Sequence, residues 1–163
     1  MTNNLPFWTL QHLYVILSLA DVREIEDITA INTVFWILHP EVERMEAIQT
    51  ELGDRVKPLI QYRNELANAR KAGENEKADV SVIIQAQERN DATLKELDKE
   101  LQEIQGTTPE FEWTSEAIAT IREVVPHVFQ TLGVQHEQLN GYRRIKATAD
   151  IIQFFEIPVS TRL

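Results

Sequence analysis

Cysteine is absent from the 163-residue sequence, and this absence excludes a disulfide framework, a thiolate zinc site and a cysteine nucleophile. Only five glycines and six prolines interrupt the chain. Strong alternation of apolar and polar residues, the pattern of a half-buried strand, is missing. Apolar residues recur instead at helical spacing. These features predict an all-α protein of a reducing compartment.

Basic residues are also scarce: 16 lysines and arginines stand against 26 aspartates and glutamates, so the formal net charge is −10. Because a phosphate backbone repels an acidic surface, we expect no direct binding to nucleic acid. A basic protein partner stays open, as does the simpler interpretation that the charge only keeps the protein soluble.

Signals for export or for membranes are missing as well. The first residues lack the basic start of a signal peptide, and the apolar stretch 5–20 is shorter than the about 20 residues that span a bilayer. Gln11 and His12 interrupt this stretch. We therefore expect a core helix here, no membrane partner and a cytoplasmic location.

No signature of catalysis is recognisable in the sequence. It has no glycine-rich phosphate loop and no G-x-S-x-G motif. None of its four histidines belongs to an H-E-x-x-H pair, and Glu123 with His127 are too few for a metal site. We predict no enzyme activity, no catalytic residue, no cofactor and no metal.

Two runs with seven-residue periodicity occupy the middle of the chain. The first run repeats every seven positions, at Met45, Leu52, Leu59 and Leu66. The second run alternates steps of three and four, at Val80, Ile83, Gln87, Asn90, Leu94, Leu97, Leu101 and Ile104. Both patterns are typical of a coiled-coil seam. The antiparallel register that aligns them places Leu59 opposite Asn90 and Tyr62 opposite Gln87, with the turn near residues 73–74.

Local signals set the expected helix ends. Thr9 is the expected N-cap of the first helix, and Asp79 is that of the second heptad run. Pro40 should bend the chain or restart a helix. Gly53 costs about 1 kcal/mol and Pro58 about 3 kcal/mol in a helix interior, so we expect a break near Gly53.

Together these patterns predict an elongated all-α helical bundle with a central antiparallel coiled-coil hairpin. The single domain, residues 1–163, would comprise N-terminal helices in residues 5–39, the hairpin in 40–106, and a linker with C-terminal helices in 107–163. A hairpin within one chain and one exchanged between two chains would satisfy the heptads equally well. Both arrangements therefore stay open.

Six residues are candidates for a protein interface. Gln87 and Asn90 are polar at seam positions, where they either fix the register or contact a third helix. The other four are large aromatic side chains in or near segments predicted as non-helical, where aromatics can anchor a partner: Phe7, Trp8, Phe111 and Trp113.

Several short motifs stand in a distinctive order: T-L-Q-x-x-Y-x-x-L at 9–17, L-H-P-E-V-E-x-x-E at 38–46, E-L-G at 51–53, L-x-x-L-x-x-x-L at 94–101, and P-E-F-E at 109–112. In this layout about half of the chain resembles small helical proteins of unknown function encoded in phage structural and assembly gene clusters. The stretch 55–79 and the residues after Trp113 exceed that pattern.

The resemblance implies a phage-encoded protein that works by binding other proteins, with no catalytic residue to carry over. We therefore expect a non-enzymatic protein–protein interaction protein, a phage structural or assembly component, in the host cell cytoplasm or the virion. Its partners would be other proteins, including further copies of itself in a homo-oligomer. The alternative, motivated by the net charge of −10, is a small acidic inhibitor that binds a basic, nucleic-acid-binding surface of a host or defence protein.

Overall fold

The computed structural model of the protein describes residues 1–22, 25–132 and 142–158. In these ranges the chain forms five α-helices: α1 (Phe7–Ser18), α2 (Ile25–Asn75), α3 (Ser81–Gly106), α4 (Ser115–Leu132) and α5 (Tyr142–Phe154). The only β-pairing among the described residues is an isolated antiparallel bridge between Thr2 and Glu112. The predicted all-α fold is confirmed.

The contacts within the chain divide it into two compact units. One unit comprises Met1–Met45 together with Gln105–Leu163, and the other comprises Glu46–Ile104. Helix α2 contributes to both units, its first part to one and its second part to the other.

The hydrophobic core of the first unit draws on α1, the start of α2, α4 and α5. Its buried members are Leu5, Leu10, Leu13, Ile16, Leu17, Val34, Leu38, Trp113, Ala117, Ile121, Val125, Val128, Phe129, Ile151, Phe155 and Ile157. Helix α1 carries no charged residue, and buried positions occur along its whole length. A helix covered on more than one side is expected to be apolar nearly all round, which explains the composition of α1.

An extended N-terminal segment lies against the segment between α3 and α4. The backbone N–H of Asn3 donates to the Phe111 carbonyl at 2.9 Å, and the N–H of Trp113 donates to the Met1 carbonyl at 2.8 Å. Asn3 is only 5% exposed, and its side-chain amide donates to the carbonyls of Leu5 and Pro109 at 3.0 and 2.9 Å. Its amide oxygen accepts from the Trp113 indole N–H at 3.1 Å. A buried amide with this many partners fixes the segment, because leaving any of the groups unpaired is costly.

The second unit is a helical hairpin made by the second part of α2 and by α3. The side-chain amide of Asn90 donates to the Leu59 carbonyl at 2.9 Å, which joins two residues that the predicted register places opposite each other. Nearer the turn, Arg70 donates to the Gln87 side chain at 3.0 Å. These contacts pair the two segments within one chain.

The turn of the hairpin lies at residues 76–80, a little later than the predicted position at 73–74. Helix α2 continues through Gly73, and the Gly73 carbonyl accepts from the Ala78 N–H at 2.8 Å. Lys77 adopts a positive φ of 54°, and the Asp79 carboxylate accepts from the Ser81 N–H at 3.0 Å. Asp79 therefore caps α3, as predicted.

The predicted start of α1 at Thr9 is wrong. The helix begins at Phe7 after Pro6, and the Phe7 N–H donates to the Thr107 carbonyl at 2.8 Å. Thr9 is fully buried and lies inside the helix. The Phe7 N–H is satisfied by a carbonyl one hundred residues away, and the N–H groups of Thr9 and Leu10 by the Pro6 carbonyl, so no capping side chain is needed there.

The predicted restart at Pro40 and the predicted break near Gly53 are wrong, because α2 is helical from Ile25 to Asn75. Both Pro40 and Pro58 are exposed, so the carbonyls that lose an N–H partner lie on the solvent side. Buried Leu38 and Val42 flank Pro40 along the chain, and buried Leu52 precedes Pro58. Burial of these side chains offsets the local cost of proline and glycine.

Candidate interaction surface

Trp36 is the most exposed large apolar side chain among the described residues, with 81% of its surface accessible. It lies on α2, two positions from both Val34 and Leu38, which are fully buried in the core. At about 100° per residue, an α-helix directs Trp36 about 160–200° away from those two residues. The same packing that anchors the helix therefore directs the indole away from the core.

Other aromatic and apolar groups surround Trp36. A shallow groove beside it is lined by Asn32, Phe35, Trp36, His39 and Pro40. Ile28, two helical turns before Trp36, is 46% exposed. We call these six residues, together with Tyr14 of α1, the Trp36 surface.

Tyr14 joins the Trp36 surface from the neighbouring helix. Its ring centroid lies 5.1 Å from that of Phe35 with the planes tilted by 58°. It lies 6.3 Å from the His39 ring in a stacked arrangement. Contacts of this kind stabilise aromatic pairs, so the groove beside Trp36 has a packed floor.

The charges near the Trp36 surface are mainly negative. The Glu43 carboxylate lies 3.5 Å from His39, and Glu26 is exposed at the start of α2. Arg44 is the single basic residue of α2 between Ile25 and Met45, and its guanidinium is held by Glu41 at 2.9 Å. Among the described residues, a carboxylate therefore lies beside the aromatic groups, and the nearby guanidinium of Arg44 is paired with Glu41.

A backbone acceptor adds to this surface. Proline has no N–H, so Pro40 cannot donate the helical hydrogen bond that the Trp36 carbonyl would otherwise receive from the residue four positions on. The carbonyl belongs to the same exposed helix face as the groove. The Trp36 surface thus combines an aromatic face, carboxylates and a carbonyl acceptor, a set that suits a donor-rich, positively charged group.

The six interface candidates predicted from the sequence lie elsewhere. Phe7 is fully buried and Trp113 is 2% exposed; the Trp113 ring contacts that of Phe155 at 5.2 Å. Trp8 and Phe111 are half-buried. The Lys146 ammonium lies 5.8 Å from the Trp8 ring centroid, and the Phe111 ring lies 4.9 Å from that of Trp113. Most of the surface of these four aromatic side chains is therefore buried within this chain.

The two polar candidates of the hairpin have partners within the hairpin. Asn90 is 5% exposed and holds the Leu59 carbonyl. Gln87 is half-buried and accepts from Arg70. Both contacts cross between α2 and α3, which suits the interpretation that these polar residues fix the register.

Among the described residues, the pKa values of two carboxyl groups are lowered. The Ser81 hydroxyl, followed by the Ser81 N–H, lowers the pKa of Asp79 from its ordinary value. The Thr2 hydroxyl, followed by the α-ammonium of Met1, lowers the pKa of Glu112. The hydrogen bonds of Asp79 lie at the start of α3, and those of Glu112 hold the N-terminal segment, so both shifts have a structural origin.

The described residues show neither a metal site nor a membrane-spanning helix. Within residues 1–22, 25–132 and 142–158, no three histidine, cysteine, aspartate or glutamate side chains are grouped so that they could hold a metal ion. Among the described helices, none combines the length and the apolar character needed to cross a membrane. Comparison with protein-family models, curated proteins and solved structures gives no match for this chain.

Proposed function

We propose that this chain is a non-enzymatic protein–protein interaction protein, a structural or assembly component of a phage, which binds a basic segment of another protein through the Trp36 surface. The observation that carries the proposal is the 81% exposure of Trp36 on a helix whose opposite side is buried in a core. The assignment to a phage rests on the resemblance in the sequence layout.

The size and chemistry of the surface support a docking role. Tryptophan and tyrosine are enriched among the residues that dominate binding energies, and a tryptophan can bury about 150–250 Å² in a contact. An arginine guanidinium can stack on an indole and donate to a carboxylate or a carbonyl at the same time. Glu43 and the Trp36 carbonyl are the acceptors on this face.

The charge of the surface favours a different protein over a second copy of this chain. Two copies meeting at Trp36 would bring the Glu43 carboxylates of both copies towards one another, and like charges at an interface are unfavourable. A partner with lysine or arginine side chains would reverse the sign of that interaction.

The test is binding of the tagged chain to purified phage particles or assembly intermediates from cells that produce it, measured by co-sedimentation and electron microscopy. We expect repeated copies on the particle, and we expect W36A to reduce binding at least tenfold. V82A is the matched control, because Val82 is 78% exposed but lies on the hairpin. A chain that never co-purifies with particles would refute the phage role, and equal binding of W36A and wild type would refute the docking surface.

The acidic flank of Trp36 also favours the second candidate, an inhibitor that occupies a basic, nucleic-acid-binding surface of a host or defence protein. Its affinity should fall steeply with salt, and nucleic acid should compete with it for the partner. Competition by a short DNA duplex, measured on the isolated complex, separates this candidate from a particle component, which nucleic acid should leave in place.

A further inference from the structure

The two helices of the hairpin do not enclose their seam completely. Within Glu46–Ile104 the buried side chains are Leu52, Leu66, Asn90 and Leu97. Other seam residues are only half-buried: Leu59, Ile83, Leu94, Leu101 and Ile104. Further helices packed against the hairpin would complete this burial, as in a four-helix bundle.

Three apolar residues outside the seam, Val56, Ile60 and Ile84, share one side of the hairpin, and we expect such helices to pack there. If Leu52 and Leu97 stand at the a and d positions of their heptads, Val56 and Ile84 are both at position e. In an antiparallel pair the e positions of the two helices flank the same side. Ile60, 38% exposed, is at the neighbouring position b of this side.

Near Ile60 and Ile84 the charged residues on this side have opposite signs on the two helices; Lys95, at position b farther along α3, is an exception. Arg63 of α2 is at position e, and α3 carries Glu88 at position b and Asp91 at position e. All three are exposed. In the part of the chain that the structure describes, none of them forms an ion pair within the chain. We call the set Val56, Ile60, Arg63, Ile84, Glu88 and Asp91 the e-side face.

We propose that two copies of this chain associate through their e-side faces, so that the two hairpins form a four-helix bundle. A two-fold axis along the hairpin places α2 of one copy over α3 of the other. In the register fixed by Asn90 and Leu59, Arg63 then lies about two residues, or about 3 Å, from the level of Glu88 of the second copy. The two-fold symmetry produces this contact two times, once from each copy.

Charge pattern and area both point to a second copy as the occupant. Arg63 on one helix with Glu88 and Asp91 on the other makes the e-side face complementary to itself under this rotation, whereas a uniformly charged partner would meet like charges on one of the two helices. The whole side of the hairpin along the 26 residues of α3 is about 39 Å long and about 20 Å wide. It offers roughly 800 Å² on each copy, the area of a standard stable interface, and the e-side face is the part of it nearer the turn.

The test is sedimentation velocity of the full chain over a range of concentrations up to about 200 µM, with circular dichroism to verify that each variant is folded. We expect wild type to form a dimer of twice the 18.8 kDa chain mass. R63E and E88R should each weaken the dimer at least tenfold, and the charge-swapped double variant R63E/E88R should recover most of that loss. I60E should weaken the dimer more strongly than either charge reversal, because burial of the apolar residues contributes most of its stability.

Two controls make the test specific. E65R reverses a charge on the other side of α2, at heptad position g, and should leave the dimer unchanged. W36A should also leave it unchanged, so that failure of this proposal can be distinguished from failure of the Trp36 surface. A wild-type monomer at all concentrations would overturn the proposal, as would an oligomer that E88R leaves intact or a double variant no stronger than the single ones.

Discussion

The close approach of Val80 to Gly73 predicts opposite effects of one substitution at two glycines of the same helix. A Cβ added at Gly73 would lie 2.7 Å from the Val80 Cγ1 atom, whereas a Cβ added at Gly53 would meet nothing within 4 Å. Both glycines lie within α2. We therefore expect G53A to stabilise the protein and G73A to destabilise it.

The magnitudes follow from two opposing terms. Replacing glycine by alanine in a helix interior gains about 1 kcal/mol, and this is the whole effect expected for G53A. In G73A the new methyl group must displace Val80, whose β-branched side chain has little rotamer freedom. Overpacking of this kind costs about 1–3 kcal/mol, so the net loss should be about 1 kcal/mol. Replacing Val80 by alanine as well, in G73A/V80A, should remove the clash.

The assay is urea unfolding followed by circular dichroism at 222 nm for wild type, G53A, G73A, V80A and G73A/V80A. We expect a favourable coupling of about 1–2 kcal/mol between the substitutions at positions 73 and 80. If G73A were as stable as G53A and the coupling were zero, the turn could not hold Val80 over Gly73, and the arrangement of residues 76–80 would be wrong.

Three further predictions concern the N-terminal segment, the cap of α3 and the Trp36 surface. N3L should lower the free energy of unfolding, measured in urea, by about 3 kcal/mol, because it leaves the Trp113 indole N–H and nearby backbone groups unpaired. Asn4 is exposed, so the control variant N4L should be nearly neutral. Stability contributed by Asp79, whose folded-state pKa is lowered by Ser81, should be fully present above the ordinary aspartate pKa and lost as pH falls through the lower folded value. S81A should move the Asp79 pKa back towards its ordinary value in a carboxyl NMR titration, and an unchanged pKa would contradict the hydrogen bond. Trp36 fluorescence should be quenched more strongly by caesium than by iodide because carboxylates flank it, and W36F should remove most of that quenching; equal quenching by both ions would contradict the acidic flank.

The hairpin could be predicted from the sequence because its signal is both long and local. The seven-residue repeat extends over several turns on each helix, and one register aligns both runs, which is how Leu59 and Asn90 could be placed opposite each other before the structure was known. Helix ends were predicted less well. The rules for Thr9 and Pro40 consider only neighbouring residues, whereas burial of Leu38 and Val42 keeps α2 helical through the proline.

The candidate site shows a different limit. Phe7 and Trp113 were chosen because non-helical segments were expected to be exposed, yet their surroundings are set by contacts between the two ends of the sequence, such as that of Asn3 with Pro109. No local pattern contains that information. Trp36 could have been found, because its two-residue offset from Val34 and Leu38 places it on the far side of the helix.

The two proposed surfaces should respond differently to salt, which allows them to be tested in one sample. Charges dominate recognition at the Trp36 surface, so partner binding there should weaken steeply as salt rises from about 50 to about 500 mM. Over this range the Debye length shortens from above about 10 Å to below about 5 Å. On the e-side face the exposed pair of Arg63 and Glu88 contributes little, about 0–1 kcal/mol, and burial of Val56, Ile60 and Ile84 contributes most of the stability. Sedimentation velocity of the complex across this range should therefore show loss of the partner while the chain remains dimeric. Simultaneous loss of both would mean that the partner binds only to the dimer, and loss of the dimer first would contradict an apolar e-side contact.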